Sequence, residues 1–287
     1  MKNLAAKNYS KQSISGYGNA LKYFGRYLSE SGTNQVSDVT YEHLCLYRQY
    51  LQEKGLALAT VDVYLRSIRG LFNYLEKTGQ IFLNPVDKLT TPNYKRGLMP
   101  VPSEKEVKLL LMQPDQATKT GIRDRAIIEM LYSSGARLSE LTGMDTWHVN
   151  IRQGCARIFG KGKKERIVPL GKQAVLWIKI YLKDARPQLR NIRLDERALW
   201  LGGRGGRLHP QIIQRLLQEY SLKAKISPTI TVHSLRRACA THMLQNGAHP
   251  VQIQLLLGHA TLETLGQYLE ATIVDLHKMH KSSRPGK

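Results

Sequence analysis

Apolar side chains recur at steps of three and four residues through Ile14, Tyr17, Leu21, Phe24 and Leu28, the spacing of one helical face, and Gly32 offers a stop. The pattern returns twice. Leu44, Tyr47 and Leu51 lead to Gly55; Val61, Leu65, Ile68, Phe72 and Leu75 lead to Gly79, with Thr60 placed to cap this third helix. Residues 1 to about 90 therefore read as an all-helical module. Arg66 and Arg69 fall off the apolar stripe of its third helix, where they form either a solvated face or a contact to a negatively charged backbone.

Residues 91–102 break the pattern, because Pro92, Pro100 and Pro102 stop any helix while Lys95 and Arg96 add charge. This is a basic linker. Ser103 and Glu106 have the spacing of a capping box and open a second domain, residues 103–287. Ile127, Met130, Leu131, Leu138 and Leu141 belong to helices on either side of Gly135, and later helices are expected at 174–182, 210–222, 234–246 and 250–257. Between them, Cys155–Phe159 and residues 165–170 alternate as two arms of a hairpin around Gly160, Lys161, Gly162, Lys163 and Lys164. The expected fold is mainly α, with a small helical N-terminal domain and a larger, mostly helical second domain that carries a small antiparallel sheet. Ile273, Leu276 and Met279 give residues 272–279 an amphipathic face, suited to docking on a neighbour or folding back on its own domain.

Charge narrows the partner. With 43 Lys and Arg against 22 Asp and Glu, the chain carries a formal net charge of +21 and an isoelectric point near 10.0. Such a chain suits a polyanion, since each cation that meets a phosphate releases a condensed counterion. Anionic lipid and the ribosome are the competing classes. No apolar run is long enough to cross a bilayer, and Met1 is followed by a polar stretch with no signal-peptide core. Cys45, Cys155 and Cys239 fit neither a disulfide framework nor a zinc spacing, which favours a reducing, cytosolic compartment.

The chemistry is concentrated between Arg137 and Tyr268. Attack at a phosphodiester's phosphorus places charge on the two non-bridging oxygens, and a planar guanidinium meets that geometry with two donors at once. Arg137 and Arg236 are the candidates, the first within Ser134-Gly135-Ala136-Arg137-Leu138-Ser139-Glu140-Leu141, the second within His233-Ser234-Leu235-Arg236-Arg237. His233 and Arg236, three apart at a helix start, project to one side and reach the same phosphate. Lys161 sits at the glycine-flanked hairpin tip; with Lys163, Lys164 and Arg166 it forms either a phosphate-gripping patch or the setting of one reactive lysine. His259 follows Leu257-Gly258, and Tyr268 lies nine residues further on. No acidic cluster for magnesium and no nucleotide-binding loop is present in the sequence, so neither a metal nor a nucleotide cofactor is expected.

In this order and spacing the motifs resemble the signature of the tyrosine site-specific recombinases, the Xer and phage-integrase family, and the N-terminal module resembles that family's helical, SAM-like core-binding domain. The resemblance implies Tyr268 as nucleophile, Arg137, Arg236 and His259 on the phosphate, His233 exchanging a proton with Tyr268, and Lys161 as the acid for the departing 5′ oxygen, with Lys163 the alternative. Arg66, Arg69, Lys95, Arg96, Lys163, Lys164, Arg166 and Arg237 become candidate DNA contacts. It further implies a two-domain clamp on double-stranded DNA and a cyclic tetramer on DNA built from a C-terminal exchange helix near 272–281. A second recombinase or a DNA-bending accessory protein, and a prokaryotic, nucleoid-associated setting, belong to the same expectation. Two departures stand out: Ala136 replaces a usual leucine, and residues 262–267 lack a common threonine pair, which weakens assignment to the Xer pair that resolves chromosome dimers and leaves open a recombinase carried by a mobile element. A relaxing enzyme of the type IB topoisomerase kind and a non-catalytic DNA-binding protein of the same fold are the rival readings.

Overall fold

A computed structural model describes residues 11–33, 35–90, 100–160, 165–191 and 197–258, and the chain divides into two compact units, 1–97 and 98–287. Lys95, Arg96, Lys161, Lys163, Lys164, His259, Tyr268 and the 272–281 helix lie outside the described residues.

In the first unit the three apolar stripes become α1 (Lys11–Glu30), α2 (Tyr41–Glu53) and α3 (Leu58–Lys77). Their facing residues, Phe24, Leu28, Leu44, Tyr47, Leu51, Val61, Leu65, Ile68 and Phe72, close one core. Its centre is aromatic: Phe24 meets Tyr47 edge-on at 4.9 Å between ring centroids, a geometry that adds quadrupolar attraction to simple burial. Helix α3 begins a turn before Thr60, on Ala57, because Leu58 and Ala59 are strong helix formers and the first amide groups need no side-chain cap where water reaches them.

In the same unit, two of the candidate DNA-contact arginines have internal partners. Arg66 is forked onto the buried carboxylate of Asp62, Nε to Oδ1 at 3.1 Å and Nη2 to Oδ2 at 2.6 Å, so its first partner is internal although most of it remains exposed. Arg69 donates from Nη2 to the carbonyl of Leu89 and fastens the segment that brings Val86 and Leu89 into the core. Its guanidinium serves the fold.

The second unit is built around α5 (Lys119–Ser134), against which α7 (Lys172–Ile180) and α9 (Val232–Gln245) pack. Ahead of it lies α4 (Glu104–Leu111), opened by the expected box: Ser103 N donates to Glu106 Oε2 at 2.8 Å and Glu106 N to Ser103 Oγ at 3.2 Å. Beyond it come the short α6 (Leu138–Thr142) and a sheet of order β1–β2–β3, from β1 (Val149–Asn150), β2 (Cys155–Phe159) and β3 (Glu165–Pro169). The pairing is antiparallel, with Ala156 opposite Val168 and Ile158 opposite Arg166. Alternation sends Ala156, Ile158 and Val168 into the core.

Helix α7 continues past its expected end through a π turn, Tyr181–Ala185, into Arg186–Leu189. Tyr181 is buried there and stacks on Trp200 at 5.2 Å; its hydroxyl donates to Leu199 O at 2.8 Å and accepts from Leu201 N at 3.1 Å, securing the irregular strand that follows. Its later described helices are α8 (Pro210–Lys223), α9 and α10 (Pro250–Leu257). Among the described residues, no helix is long and apolar enough to cross a membrane.

Gly135 joins this core to the site. It ends α5 at φ +58°, and a Cβ there would fall 2.4 Å from Cδ2 of Leu257, the last residue of α10. Left-handed backbone and the close approach of α10 both require its missing side chain. Gly135→Ala is expected to cost about 2 kcal/mol or more, from backbone strain plus overpacking, read as the midpoint of denaturant unfolding. An unchanged midpoint would contradict the closeness of α5 and α10.

Candidate active site

Thr231 opens α9: its hydroxyl accepts from Ser234 N at 3.1 Å, holding the first turn that carries His233 and Arg236. Arg236 is buried, yet its guanidinium is fully directed. One nitrogen donates to the carbonyl of Gly135 at the end of α5, and Nη2 donates to the carbonyl of Leu257 at 2.6 Å, at the end of α10. Those carbonyls lack intrahelical partners and carry the negative end of the helix dipole, so two helix termini hold one cation. His233 and Arg236 then line a cleft of about 490 Å³ with Arg137, bounded by Gln214 and Gln218 of α8 and by Thr231. Three of the six residues expected from sequence thus converge on one cleft.

Arg137 is held by Glu140, a residue within the quoted motif to which the sequence reading gave no role. The Arg137 backbone N–H donates to Glu140 Oε2 and its Nη1 to Oε1, each at 2.8 Å. Arg166 of β3 approaches the same carboxylate from the other side, Nη1 to Oε1 at 3.1 Å and Nη2 to Oε2 at 2.7 Å, and gives its Nε to Leu256 O at 2.9 Å. Burial alone would raise the Glu140 pKa, but these hydrogen bonds from Arg166 and Arg137, with the charge of Arg166, outweigh it and hold the carboxyl at about 2. Arg137 itself stays 44% exposed, its free edge available to a phosphate.

Two expected DNA contacts are therefore corrected. Arg166 is only 13% exposed and its donors are taken by Glu140 and Leu256, which makes it a brace between the hairpin and α10. Gly258, at φ +63°, admits it: a Cβ there would stand 3.2 Å from the Arg166 side chain. Arg237 is 6% exposed, so it is not a surface cation.

His233 opens onto the cleft, but the protein around its ring desolvates it, and the positive charges of Arg237, Arg236 and Arg137 act in the same sense. Its pKa falls below the ordinary histidine value, so the neutral, proton-accepting imidazole dominates at neutral pH. The described tyrosines of this unit are committed elsewhere. Tyr132 pairs with His242 Nδ1 at 2.8 Å, Tyr181 with Leu199, and Tyr220 donates to Asp124 at 2.9 Å; burial pushes Tyr132 and Tyr181 up to about 12. None of the three lines the cleft.

Residues 102–273 match the phage integrase family and residues 2–79 the phage integrase N-terminal SAM-like domain, so the chain belongs to the phage integrase family. It is 34% identical over 281 residues to tyrosine recombinase XerD of Shewanella oneidensis, covering 98% of this chain and 93% of the relative. Against tyrosine recombinase XerD of Staphylococcus epidermidis it is 32% identical over 279 residues, covering 97% and 94%. Among solved structures, the post-cleavage complex of XerH site-specific recombinase on palindromic difH substrate matches with TM-score 0.79 at 23% identity, covering 96% of this chain and 80% of that one. A lambda integrase(75–356) dimer bound to a COC′ core site matches with TM-score 0.76 at 16% identity, covering 93% and 91%. These last two show the shared fold.

The Glu140 brace has a pH signature. Its folded pKa of about 2 lies below the ordinary value of 4.5, so the stability it contributes is present above about 4.5 and is lost as pH falls through that value toward 2. The difference corresponds to on the order of 3 kcal/mol. Glu140→Gln is expected to unfold at lower urea than the wild type at neutral pH, the gap narrowing from about pH 5 to pH 3, where the native carboxylate begins to protonate. A gap that stays constant across that range would remove the paired carboxylate from the account.

Proposed function

We propose that this chain is a site-specific DNA recombinase that cuts and rejoins strands through a 3′-phosphotyrosyl intermediate. The observation that carries the reading is the convergence of Arg137, His233 and Arg236 on one cleft, with the orientations of the two arginines set internally before any substrate arrives. The scissile phosphate sits in that cleft, its two non-bridging oxygens taking donors from Arg137 and Arg236, where negative charge grows in the transition state. Tyr268, the one tyrosine of the second unit not among Tyr132, Tyr181 and Tyr220, supplies the nucleophile. Neutral His233 accepts the phenolic proton as the Tyr268 oxygen bonds to phosphorus, and His259 donates a hydrogen bond to the phosphate. The bond to the 5′ oxygen breaks as Lys161 gives that oxygen a proton.

The phosphotyrosyl ester retains the energy of the broken diester, so resealing consumes no nucleotide. A 5′ hydroxyl from a partner duplex then attacks phosphorus as it gives its proton to Lys161, the bond from phosphorus to the Tyr268 oxygen breaks as His233 returns its proton to that oxygen, and the strand is joined in its new place. Two such rounds pass through a Holliday junction. The relatives named tyrosine recombinase XerD support exchange at a fixed site, and the structural neighbour described as a lambda integrase tetramer bound to a Holliday junction supports a tetramer on DNA. On this reading, residues 1–90 bind the core site, 91–102 link the two parts of a clamp, and the helix near 272–281 joins one protomer to the next. The enzyme works in the cytoplasm, alone or with a second recombinase or a bending protein, in integration and excision or in dimer resolution.

Nicked suicide substrates test it. The wild type is expected to form a covalent adduct on DNA that carries its site, whereas a relaxing enzyme would form one on any duplex and a mere binder none. Tyr268→Phe is expected to lose the adduct and keep its DNA affinity; an adduct from the Phe variant would move the nucleophile to another residue. Lys161→Ala is expected to cleave normal DNA very slowly and regain most of its rate when sulfur replaces the bridging 5′ oxygen, because a thiolate leaves without protonation. Arg137→Ala should regain much less, and rescue of Lys163→Ala in place of Lys161→Ala would exchange the two lysines.

A further inference from the structure

Among the described residues, the buried and part-buried arginines Arg123, Arg125, Arg166 and Arg236 of the second unit are visibly neutralised or bound. Arg123 pairs with Asp124 at 2.7 Å, Arg125 with Glu129 at 2.8 Å and Arg166 with Glu140 at 2.7 Å, while Arg236 gives its donors to two carbonyls. Arg237 differs. It is 6% exposed, its Nε is shielded from solvent, and among the described residues that nitrogen meets no hydrogen-bond partner and no carboxylate pairs with the guanidinium. Burial of an unpaired charge costs several kcal/mol in general, so its presence here calls for an explanation.

Its place on α9 supplies one. Arg237 lies four residues after His233, one helical turn along the same face, where side chains are about 6 Å apart. The charged groups that act on His233 are three guanidiniums: Arg137 from the start of α6, and Arg236 and Arg237 from its own helix. From α8, the residues facing the cleft are the uncharged Gln214 and Gln218. Arg137 and Arg236 line the cleft, so a bound phosphate offsets their charge; Arg237 is not part of the lining and keeps its own. Phosphate in the cleft also pulls His233 toward its protonated form, just when the reaction needs it free to take a proton. An unneutralised cation behind the ring, in a medium that screens little, opposes that pull.

We propose that Arg237 is a positioning residue for proton transfer: a buried, unneutralised charge that keeps His233 in its proton-accepting form while DNA occupies the cleft. The proposal rests on the reading of the cleft as the phosphate site. On the full-length protein, Arg237→Gln and Arg237→Met remove the charge, and Arg237→Lys keeps it. The ring titration of His233, followed by NMR and assigned with His233→Gln, is expected to move up by about half to one pH unit in the two uncharged variants and to stay near wild type in the Lys variant. The acid limb of single-turnover cleavage of a nicked substrate is expected to move up by a similar amount.

Arg237→Met also guards against misfolding, because loss of an unpaired buried charge should leave the thermal midpoint unchanged or raise it. A lowered midpoint with an unmoved His233 titration would mark Arg237 as structural and overturn the proposal. If the titration moves and the rate profile does not, Arg237 still acts on His233, and it is the assignment of His233 as proton acceptor that fails.

Discussion

The site depends on one buried carboxylate. Glu140 is 6% exposed and is flanked by two guanidiniums and a backbone amide, a set of donors sufficient to keep it ionised despite the loss of water. Through it, α6 is tied to β3, and through the remaining donor of Arg166, β3 is tied to the last turn of α10. The hairpin that offers Lys161 and the chain that leads on to His259 are therefore anchored to the same charge that orients Arg137. A protonated or amide side chain at this point keeps the shape but leaves Arg166 buried with half its partners.

The second constraint is the use of helix ends as anionic groups. Arg236 is oriented by carbonyls at the C-termini of α5 and α10, whose partial charge is fixed by the backbone. This has a functional consequence. Neutral carbonyls direct a guanidinium without themselves setting a full negative charge against it, as a carboxylate would. Arg137 meets the opposite arrangement, a true carboxylate, but one that it shares with Arg166, so the carboxylate is divided between two cations.

Much of this was legible in the sequence, and the exceptions have physical reasons. Periodicity located α1, α2, α3 and the later helices because each buries a continuous stripe, and alternation located β2 and β3 because one face of the sheet is buried. The inward turn of Arg166 was available from strand parity, since it shares a face with Val168 and stands opposite Ile158, both buried, while the apolar Ile167 points outward at 64% exposure. Charge concealed that parity: an arginine beside a lysine-rich loop reads as a surface residue. The roles of Arg69 and Arg236 depend on carbonyls 20 and 101 residues away, which no local pattern reports. The π turn at Tyr181–Ala185 likewise follows from the distant strand that Tyr181 must meet.

The excess of positive charge also takes on a different meaning once the pairs are placed. Asp62, Asp124, Glu129 and Glu140 are all buried, each bound to an arginine of its own unit. Every such pair sets one charge of each sign against the other, so the net charge of +21 and the excess of Lys and Arg over Asp and Glu are unchanged. An approaching polyanion still meets an excess of cations, and the attraction is spread over many separate lysines and arginines. A field of that kind brings DNA close without choosing a register. On the proposed reading, the choice of one phosphate for attack falls to the few guanidiniums whose directions are set from inside, so the brace built on Glu140 and the two helix ends would matter more to the reaction than the much larger number of exposed cations.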